Sequence, residues 1–500
     1  MEDTDKKTSY SQAQRIGLCL GPTLFMLTLL FFAPAGLSFE ARAVLATTLW
    51  VAIWWITEAI PIPATSLLPI VLLPMTGALS NASVTSAYGD DIIFLFLGGF
   101  FIAIAMEKWH LHRRIALAII AFVGTSTQRI LLGFMLATGF LSMWVSNTAA
   151  VMMMIPMALA ITAQVADALQ GTPEAVDIPV FEKALLLGVG YAGSIGGLGT
   201  LIGTPPNIIL AAQARELFDV EIGFAEWMLV GVPVVITLLA ATWLYLGRIA
   251  FPMRIGGIPG GKALIASERA KLGRISFEEA VVAAVFASAA FLWISREFLW
   301  SGLVPELRDG MIAIAAAVTL FIVPRANGGG RILEWKDSKE IPWGILLLFG
   351  GGLAIAAGFR ETGLSNWLGS QLTVLDGMNL VVIIASATLL IIFLTEVTSN
   401  TATATMILPV VASLALTLEI HPFALMIPCA LAATCGFMLP AGTPPNAIIF
   451  ATGKLRITEM VRVGFIVNLI SVVLIVVAVY YLVPPVFDIE LNVVPAGFSK

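Results

Sequence analysis

The sequence is poor in charged residues, in cysteine and in histidine, and each scarcity excludes a class of protein. Only 12% of its 500 residues are Asp, Glu, Lys or Arg, whereas an ordinary soluble domain carries roughly 25%. The three cysteines all fall in apolar segments, so neither a disulfide framework nor a cysteine metal cluster is expected. No apolar segment carries a Ser/His pair or an HExxH helix. We therefore expect neither an enzyme nor a bound cofactor.

What the sequence has instead is long apolar segments. Apolar residues make up 59% of the chain, and the mean hydropathy is +0.95. A helix of about 20 apolar residues crosses a bilayer, so the sequence predicts an all-α polytopic membrane protein. The run at 16–36 is expected to be an uncleaved first span rather than a signal peptide. The other apolar segments lie near 43–60, 62–79, 91–107, 130–163, 184–211, 227–247, 279–295, 309–324, 343–360, 378–418, 422–451 and 463–485.

The five-residue motif Gly-Thr-Pro-Pro-Asn occurs twice, at 203–207 and at 442–446, each time inside an apolar segment. Two adjacent prolines remove two backbone N–H donors and break a helix. In a bilayer, broken backbone is tolerated only where it is buried in protein or lines a watery cavity. Helices broken at corresponding places in two halves of a membrane protein are typical of the binding site of a transporter.

Two apolar segments, 130–163 and 378–418, are too long for one span, and each carries Ser-Asn-Thr-Ala near its middle. If each enters and leaves on the same side as a re-entrant hairpin, 21 of the 27 Lys and Arg residues fall in the cytoplasm, as the positive-inside rule requires. The sequence thus predicts about 11 transmembrane helices plus two re-entrant hairpins, with a cytoplasmic N-terminus and an extracytoplasmic C-terminus. The six cations left outside are Arg42, Arg215, Arg296, Arg308, Arg360 and Lys500.

The duplicated motifs define an inverted repeat, because the matching spans 91–107 and 343–360 cross the membrane in opposite directions in this topology. The first repeat contains one hairpin and one broken helix, and so does the second. The expected division is 1–40 for the cytoplasmic N-terminus and first span, 41–250 for the first repeat (hairpin 130–163, broken helix 184–211), 251–278 for a cytoplasmic linker, 279–485 for the second repeat (hairpin 378–418, broken helix 422–451) and 486–500 for an extracytoplasmic tail.

The two motifs bring together groups that bind ions of both signs. Hydroxyl and carbonyl oxygens at a helix C-terminus suit a small hard cation such as Na⁺, and the N–H groups that start the next half-helix suit an anion. Ser142 and Thr395 stand one helical turn before the two Ser-Asn-Thr tips, on the same face. Neither motif contains Lys or Arg. An anion bound there must therefore be neutralised by co-bound cations and helix dipoles, which is a physical basis for coupling.

These motifs, together with the run Thr-Glu-Val-Thr-Ser-Asn-Thr-Ala-Thr at 395–403, resemble the divalent anion/sodium symporter family, also called INDY or solute carrier family 13. The resemblance covers nearly the whole chain. It implies an elevator-type secondary transporter, in which a transport domain moves against a scaffold, and a homodimer in the plasma membrane. It also implies Na⁺-coupled uptake of di- or tricarboxylates such as succinate, malate, fumarate or citrate.

The resemblance also implies residue roles, carried over motif by motif. For the first Na⁺ the residues are Ser142, Ser146, Asn147 and Gly203. For the second they are Thr395, Thr398, Asn400 and Gly442, with Thr398 acting through its backbone carbonyl. For the substrate carboxylates they are Asn147, Thr148, Thr204 and Pro205 from the first repeat and Asn400, Thr401, Thr443 and Pro444 from the second.

Several alternatives stay open. A sodium-independent dicarboxylate exchanger, or a transporter of another anion such as sulfate or arsenite, would carry similar motifs. Glu58 and Glu396 lie within apolar segments, and an intramembrane carboxylate is by default a functional hypothesis; we favour a hydrogen-bonded structural role for both over proton coupling. Asn81 begins a glycosylation sequon on a predicted outer loop, which matters only in a eukaryotic source.

Overall fold

The computed structural model describes residues 10–124, 126–252, 261–371, 378–496 and 498. Parts of the predicted N-terminus (1–9), linker (253–260) and tail (497, 499 and 500) lie outside these residues. Within them the regular structure is helical, apart from one isolated bridge between Pro324 and Arg331. Ten of the described helical segments are long and apolar enough to cross a membrane. The predicted all-α membrane fold is therefore confirmed.

The helices follow most of the predicted apolar segments. The predicted span at 62–79 is an exception: it folds as two short helices, Ile62–Thr65 and Leu68–Met75, each with a proline in its first turn, where proline is tolerated. The first half forms α1 (Gln12–Phe31), α2 (Phe39–Thr57), α3 (Ile62–Thr65), α4 (Leu68–Met75), α5 (Asn81–Ala87), α6 (Asp91–Lys108), α7 (Leu111–Val123), α8 (Thr127–Ser142), α9 (Asn147–Ala168), α10 (Ile178–Gly197), α11 (Pro205–Phe218) and α12 (Phe224–Leu244). The second half forms α13 (Gly261–Lys271), α14 (Phe277–Ser295), α15 (Asp309–Ile322), α16 (Trp343–Glu361), α17 (Leu364–Gln371), α18 (Leu380–Thr395), α19 (Asn400–Thr417), α20 (Phe423–Ala432), α21 (Pro444–Ala451), α22 (Ile457–Tyr481) and α23 (Val483–Phe487).

Each long apolar segment with a Ser-Asn-Thr tip folds as two helices joined by a four-residue turn. The pairs are α8 with α9 and α18 with α19. At the first tip, the Ser146 hydroxyl accepts a hydrogen bond from the backbone N–H of Ala149 at 3.2 Å and so caps α9. Serine is among the strongest helix N-caps because its oxygen satisfies a backbone donor that the helix leaves free. The polar tip therefore ends one helix and starts the next.

The Pro-Pro motifs break both helices in which they lie. α10 ends at Gly197 and α11 starts with Pro205, while α20 ends at Ala432 and α21 starts with Pro444. Proline is well tolerated at the first position of a helix, where its missing N–H would have no intrahelical partner. The chain between the two half-helices keeps only scattered turn hydrogen bonds, so several of its carbonyl groups need other donors.

The asparagine that closes each motif supplies those donors. The side-chain amide of Asn207 donates to the carbonyls of Gly197 at 3.0 Å, of Leu198 at 3.3 Å and of Thr200 at 2.7 Å. The amide of Asn446 donates to the carbonyls of Gly436 at 3.0 Å and Leu439 at 3.1 Å. Both asparagines are fully buried. They fasten the unwound stretch to the half-helix that follows it.

Ion pairs between separate elements divide the molecule into two faces. One face, here called the cation-rich face, carries the pairs Lys108–Asp337, Arg114–Glu279, Lys183–Glu459 and Lys454–Glu182. The opposite face carries Arg215–Asp90, Arg360–Glu216 and Arg296 with Glu221 and Asp309. Each of these pairs joins residues that the topology predicted on one side of the membrane. α6 and α16 both run from one face to the other, in opposite directions.

Candidate functional site

A cavity of about 720 Å³ lies where the four duplicated motifs meet. Both Ser-Asn-Thr tips and both Gly-Thr-Pro motifs line it, so each half of the chain contributes in the same way. The cavity extends to Glu107 at the end of α6 and to Glu340 just before α16, which both lie on the cation-rich face. Glu340 is exposed, so the cavity opens there. Among the described residues that line it, none belongs to the ion pairs of the opposite face.

The duplicated motifs start four helices at this cavity. Asn147 starts α9, Pro205 starts α11, Asn400 starts α19 and Pro444 starts α21, and all four residues line the cavity. A helix N-terminus carries roughly half a positive charge and presents free N–H groups. Four of them directed at one space make it a site for an anion. No lysine, arginine or histidine is found in the part of the cavity lining that the structure describes.

Behind the first tip, oxygen atoms from three parts of the chain surround the side chain of Asn147. Its Oδ1 lies 2.6 Å from the Ser142 hydroxyl, 3.1 Å from the Gly203 carbonyl oxygen and 3.3 Å from the Gly193 carbonyl oxygen. Ser142 is fully buried and is the last residue of α8, at the negative end of the helix dipole. Oxygen atoms grouped at such a position fit a small hard cation.

The second half repeats this cluster. Oδ1 of Asn400 lies 2.8 Å from the Thr395 hydroxyl, 3.2 Å from the Ala433 carbonyl oxygen and 3.3 Å from the Gly442 carbonyl oxygen. If either amide is turned over, its nitrogen donates to the same oxygens. The asparagine can therefore present an oxygen to a cation, or satisfy the surrounding oxygens by itself. The two clusters flank the cavity, one behind each tip.

The residues expected to hold substrate all line the one cavity: Asn147, Thr148, Thr204, Pro205, Asn400, Thr401, Thr443 and Pro444. Ser142, Asn147 and Gly203 meet in the first oxygen cluster, and Thr395, Asn400 and Gly442 in the second. The hydroxyls of Ser146 and Thr398 are directed elsewhere. Ser146 caps α9, and Thr398 bonds the Leu394 carbonyl at 2.8 Å and the Thr403 hydroxyl at 2.6 Å. Any contact of these two with a cation would come from the backbone.

Sequence reasoning did not find the carbonyls of Gly193 and Ala433, because a backbone oxygen has no side-chain signature. The nearest signal is the run of small residues in α10 and α20 before each break. These residues let the hairpin approach closely: a Cβ at Gly196 would lie 2.2 Å from the carbonyl oxygen of Gly139 in α8. Close backbone approach of this kind is what glycine permits. It brings the last turn of α8 against the carbonyls of α10.

Glu396 is tied into the second broken helix. Its carboxylate accepts hydrogen bonds from the backbone N–H groups of Met438 and Leu439, both at 2.9 Å, and from the side-chain amide of Asn468 at 2.8 Å. The first half has Met143 at the equivalent position. These three donors support the hydrogen-bonded structural role favoured from the sequence. The side chain of Glu58 lies instead beside the cavity, at the end of α2.

Replacing Glu396 by glutamine should destabilise the protein without changing how transport depends on pH. The glutamine NH2 group would face one of the three donors and leave it unpaired in a buried place. A lost hydrogen bond to a charged group costs about 1.5–3 kcal/mol. We expect a lower melting temperature without ligand, and no change for Glu306→Gln, which alters an exposed loop carboxylate. A variant of normal stability that loses the pH dependence of uptake would indicate proton coupling instead.

Comparisons with known proteins agree with this geometry. The family model described as "Sodium:sulfate symporter transmembrane region" matches residues 13–487. Two relatives are named sodium-dependent dicarboxylate transporter SdcS. The one from Staphylococcus saprophyticus is 56% identical over 489 residues, covering 97% of this chain and 94% of the relative. The one from Staphylococcus aureus is 56% identical over 492 residues, with the same coverage.

Two solved structures share the overall fold at low sequence identity. The YdaH transporter of Alcanivorax borkumensis aligns with a TM-score of 0.53 and 14% identity, covering 88% of this chain and 98% of that one. MtrF of Neisseria gonorrhoeae, described as illuminating a class of antimetabolite efflux pumps, aligns with a TM-score of 0.55 and 12% identity, covering 93% and 98%. Identity this low compares architecture alone.

Proposed function

This chain belongs to the sodium:sulfate symporter family, the divalent anion/sodium symporters, and we propose that it is a sodium-coupled symporter of dicarboxylates. The observation that carries the proposal is the pairing of two oxygen clusters with one shared cavity. Each cluster fits a cation, and the cavity receives four helix N-termini but no basic side chain from the described residues. A dianion there needs the positive charge of the bound cations. Relatives named as sodium-dependent dicarboxylate transporters support the substrate class.

The roles of individual residues follow from the clusters. Asn147 and Asn400 stand between cation and substrate, since their side chains face the oxygen clusters while their backbones begin helices at the cavity. Thr148, Thr401, Thr204 and Thr443, with the helix starts at Pro205 and Pro444, hold the substrate carboxylates. Gly203 and Gly442 contribute carbonyl oxygens to the cations.

The proposal extends to how the protein works in the membrane. The repeats at 41–250 and 279–485 together form a scaffold and a transport domain, and the transport domain moves against the scaffold in an elevator cycle that imports substrate across the plasma membrane. The chain acts as a homodimer with a cytoplasmic N-terminus and an extracytoplasmic C-terminus. In this orientation the cation-rich face is cytoplasmic, and the cavity described above opens inward. The ion pairs sorted by face support the orientation.

Thermal stability of the purified protein tests this function. Na⁺ alone should raise the melting temperature, and succinate, malate, fumarate or citrate should add stability mainly when Na⁺ is present. Ligand at about 100 times its dissociation constant adds roughly 2.7 kcal/mol to the free energy of unfolding. The comparison buffers contain K⁺ or choline at equal ionic strength.

The same panel separates the alternatives. Equal stabilisation by a dicarboxylate in choline and in Na⁺ would contradict sodium coupling and favour an exchanger. Stabilisation by sulfate or arsenite, but by no carboxylate, would contradict the substrate class. Uptake of labelled substrate into vesicles, driven by an inward Na⁺ gradient, then distinguishes symport from binding.

A further inference from the structure

Helix α11 connects the candidate site to the opposite face of the molecule. Its first residue, Pro205, and its N-cap, Thr204, line the cavity. Its last turn carries Arg215 and Glu216. The helix has 14 residues, which at 1.5 Å per residue makes it about 21 Å long. Because α11 is one continuous helix, contacts that fix the position of its last turn also fix the position of its end at the cavity.

The last turn of α11 is held by two ion pairs to two different helices. The Arg215 guanidinium pairs with the carboxylate of Asp90, the N-cap of α6. Nη2 of Arg360, in the last turn of α16, lies 2.9 Å from Oε1 of Glu216, and Arg360 also donates to the Glu216 backbone carbonyl. The side chains of Asp90, Arg215 and Glu216 are three-quarters buried or more, and Arg360 is half-buried.

These pairs lie at the far ends of the helices that border the cavity opening. Glu107, which lines the cavity, is at the other end of α6, and Glu340 is at the other end of α16. α6 has 18 residues, so about 27 Å separates the two ends. The cavity thus opens at one end of α6 and α16, and at the other end α11 is ion-paired to α6 and to α16.

Building on the proposed transport function, we propose that Arg215 and Arg360 are positioning residues of the transport cycle. The pairs Arg215–Asp90 and Arg360–Glu216 form a latch that holds α11 while the cavity is open to the cation-rich face. The latch separates when the site becomes accessible from the opposite face. Alternating access moves the Thr204 end of α11 relative to the rest of the protein, and a stiff helix moves its two ends together. An interaction present in only one of two states shifts their equilibrium by its own free energy.

Two further contacts limit the expected size of the effect. Beyond α11, Glu221 lies 3.3 Å from Arg296, and the backbone N–H of Phe224 donates to Asp309 at 3.1 Å. Breaking one pair of the latch should therefore shift the equilibrium partly, by roughly two- to tenfold, the range expected of a half-buried ion pair.

A cysteine in the cavity reports the equilibrium directly. Val397 lines the cavity and is 69% exposed, so Val397→Cys in a Cys19→Ser background gives one accessible thiol; Cys429 and Cys435 are buried. Membrane vesicles of both orientations are treated with a thiol reagent that cannot cross the bilayer. In Arg360→Gln and Arg215→Gln, we expect slower labelling from the cation-rich face and faster labelling from the opposite face, so that the ratio of the two labelling rates shifts by roughly two- to tenfold.

Matched variants show whether the charge pair itself is responsible. Arg360→Lys, and the exchange Arg360→Glu with Glu216→Arg, should restore the labelling pattern of the parent protein. Lys183→Gln breaks a pair of similar exposure between α10 and α22 and should change nothing. Melting temperatures without ligand identify variants that do not fold, and conclusions rest on those that do.

The labelling results either support the latch or overturn it. Unchanged labelling from both faces in the folded glutamine variants overturns the latch, as does a shift that the charge exchange fails to reverse. Labelling that shifts as expected and is restored by the exchange supports it. If the parent protein shows no Na⁺-driven uptake in the same vesicles, the proposed function fails, and the labelling still decides whether the latch exists.

Discussion

Alanine at Asn147 should weaken Na⁺ binding and substrate binding together, and Asn400→Ala should do the same in the second half. The side chain of each asparagine lies at the centre of an oxygen cluster and can turn its amide to present an oxygen to the cation. Its removal leaves one hydroxyl and two carbonyls. Each cluster lies directly behind the cavity, so an anion in the cavity also loses its nearest cation when Na⁺ binding is lost. Na⁺ loses one ligand worth about 1.5–3 kcal/mol, so its affinity should fall roughly ten- to a hundredfold. Substrate affinity should fall at least as far, because it depends on the bound Na⁺.

Na⁺ affinity is measured first without substrate, from the melting temperature as a function of Na⁺ concentration. Substrate affinity is then measured at the highest Na⁺ concentration that the protein tolerates. Asn147→Asp is the informative partner, because a carboxylate keeps an oxygen for the cation but repels an anionic substrate. It should preserve Na⁺ binding and lose substrate binding. Asn81→Ala, at an exposed position, is the control. Normal Na⁺ binding by both alanine variants would show that Na⁺ does not bind in these clusters.

The helix breaks and tips could be predicted from the sequence because both depend on residue chemistry with strong local consequences. Paired prolines cannot continue a helix. A Ser-Asn-Thr tip in the middle of the apolar segment 130–163 fits a turn between two helices better than one continuous span. Duplication then indicated that the four motifs share one function. The family assignment and the prediction that the chain is a transporter rather than an enzyme are both confirmed by the comparisons.

The remaining features depend on contacts that no local pattern specifies. The predicted span at 62–79 folds as two short helices, α3 and α4, and a proline lies in the first turn of each. The carbonyls of Gly193 and Ala433 enter the clusters only because helices distant in sequence pack closely. Asp90, the partner of Arg215, and Glu216, which pairs with Arg360, each lie more than 100 residues away in the sequence. The distribution of Lys and Arg along the sequence predicts the side of the membrane on which these arginines lie. It does not predict the carboxylates with which they pair.

The asparagine that ends each Pro-Pro motif illustrates the same limit. Its amide fastens the unwound chain through two or three carbonyls, so its role is to satisfy a break that the prolines create. From the sequence, the same residue could equally have been a ligand. Buried polar groups need partners, yet the sequence does not say which partner a given amide takes. The structure separates this bracing asparagine from the ligand asparagine at each tip.

Thr148→Ala and Thr401→Ala should weaken substrate binding while leaving Na⁺ binding unchanged. Both threonines line the cavity one residue after the tip asparagines, and neither belongs to the oxygen clusters. Each can offer a hydroxyl to a substrate carboxylate, and such a bond is worth about 1.5–3 kcal/mol. The apparent substrate affinity should therefore fall roughly ten- to a hundredfold.

Thr405→Ser is a control, since that hydroxyl bonds the Thr401 carbonyl at 2.8 Å and does not line the cavity. The comparison is decisive because the two asparagine variants should lose both ligands and the two threonine variants only one. If both threonine variants bind substrate normally in a folded protein, the tips serve to hold the helices together, and the carboxylates are bound elsewhere.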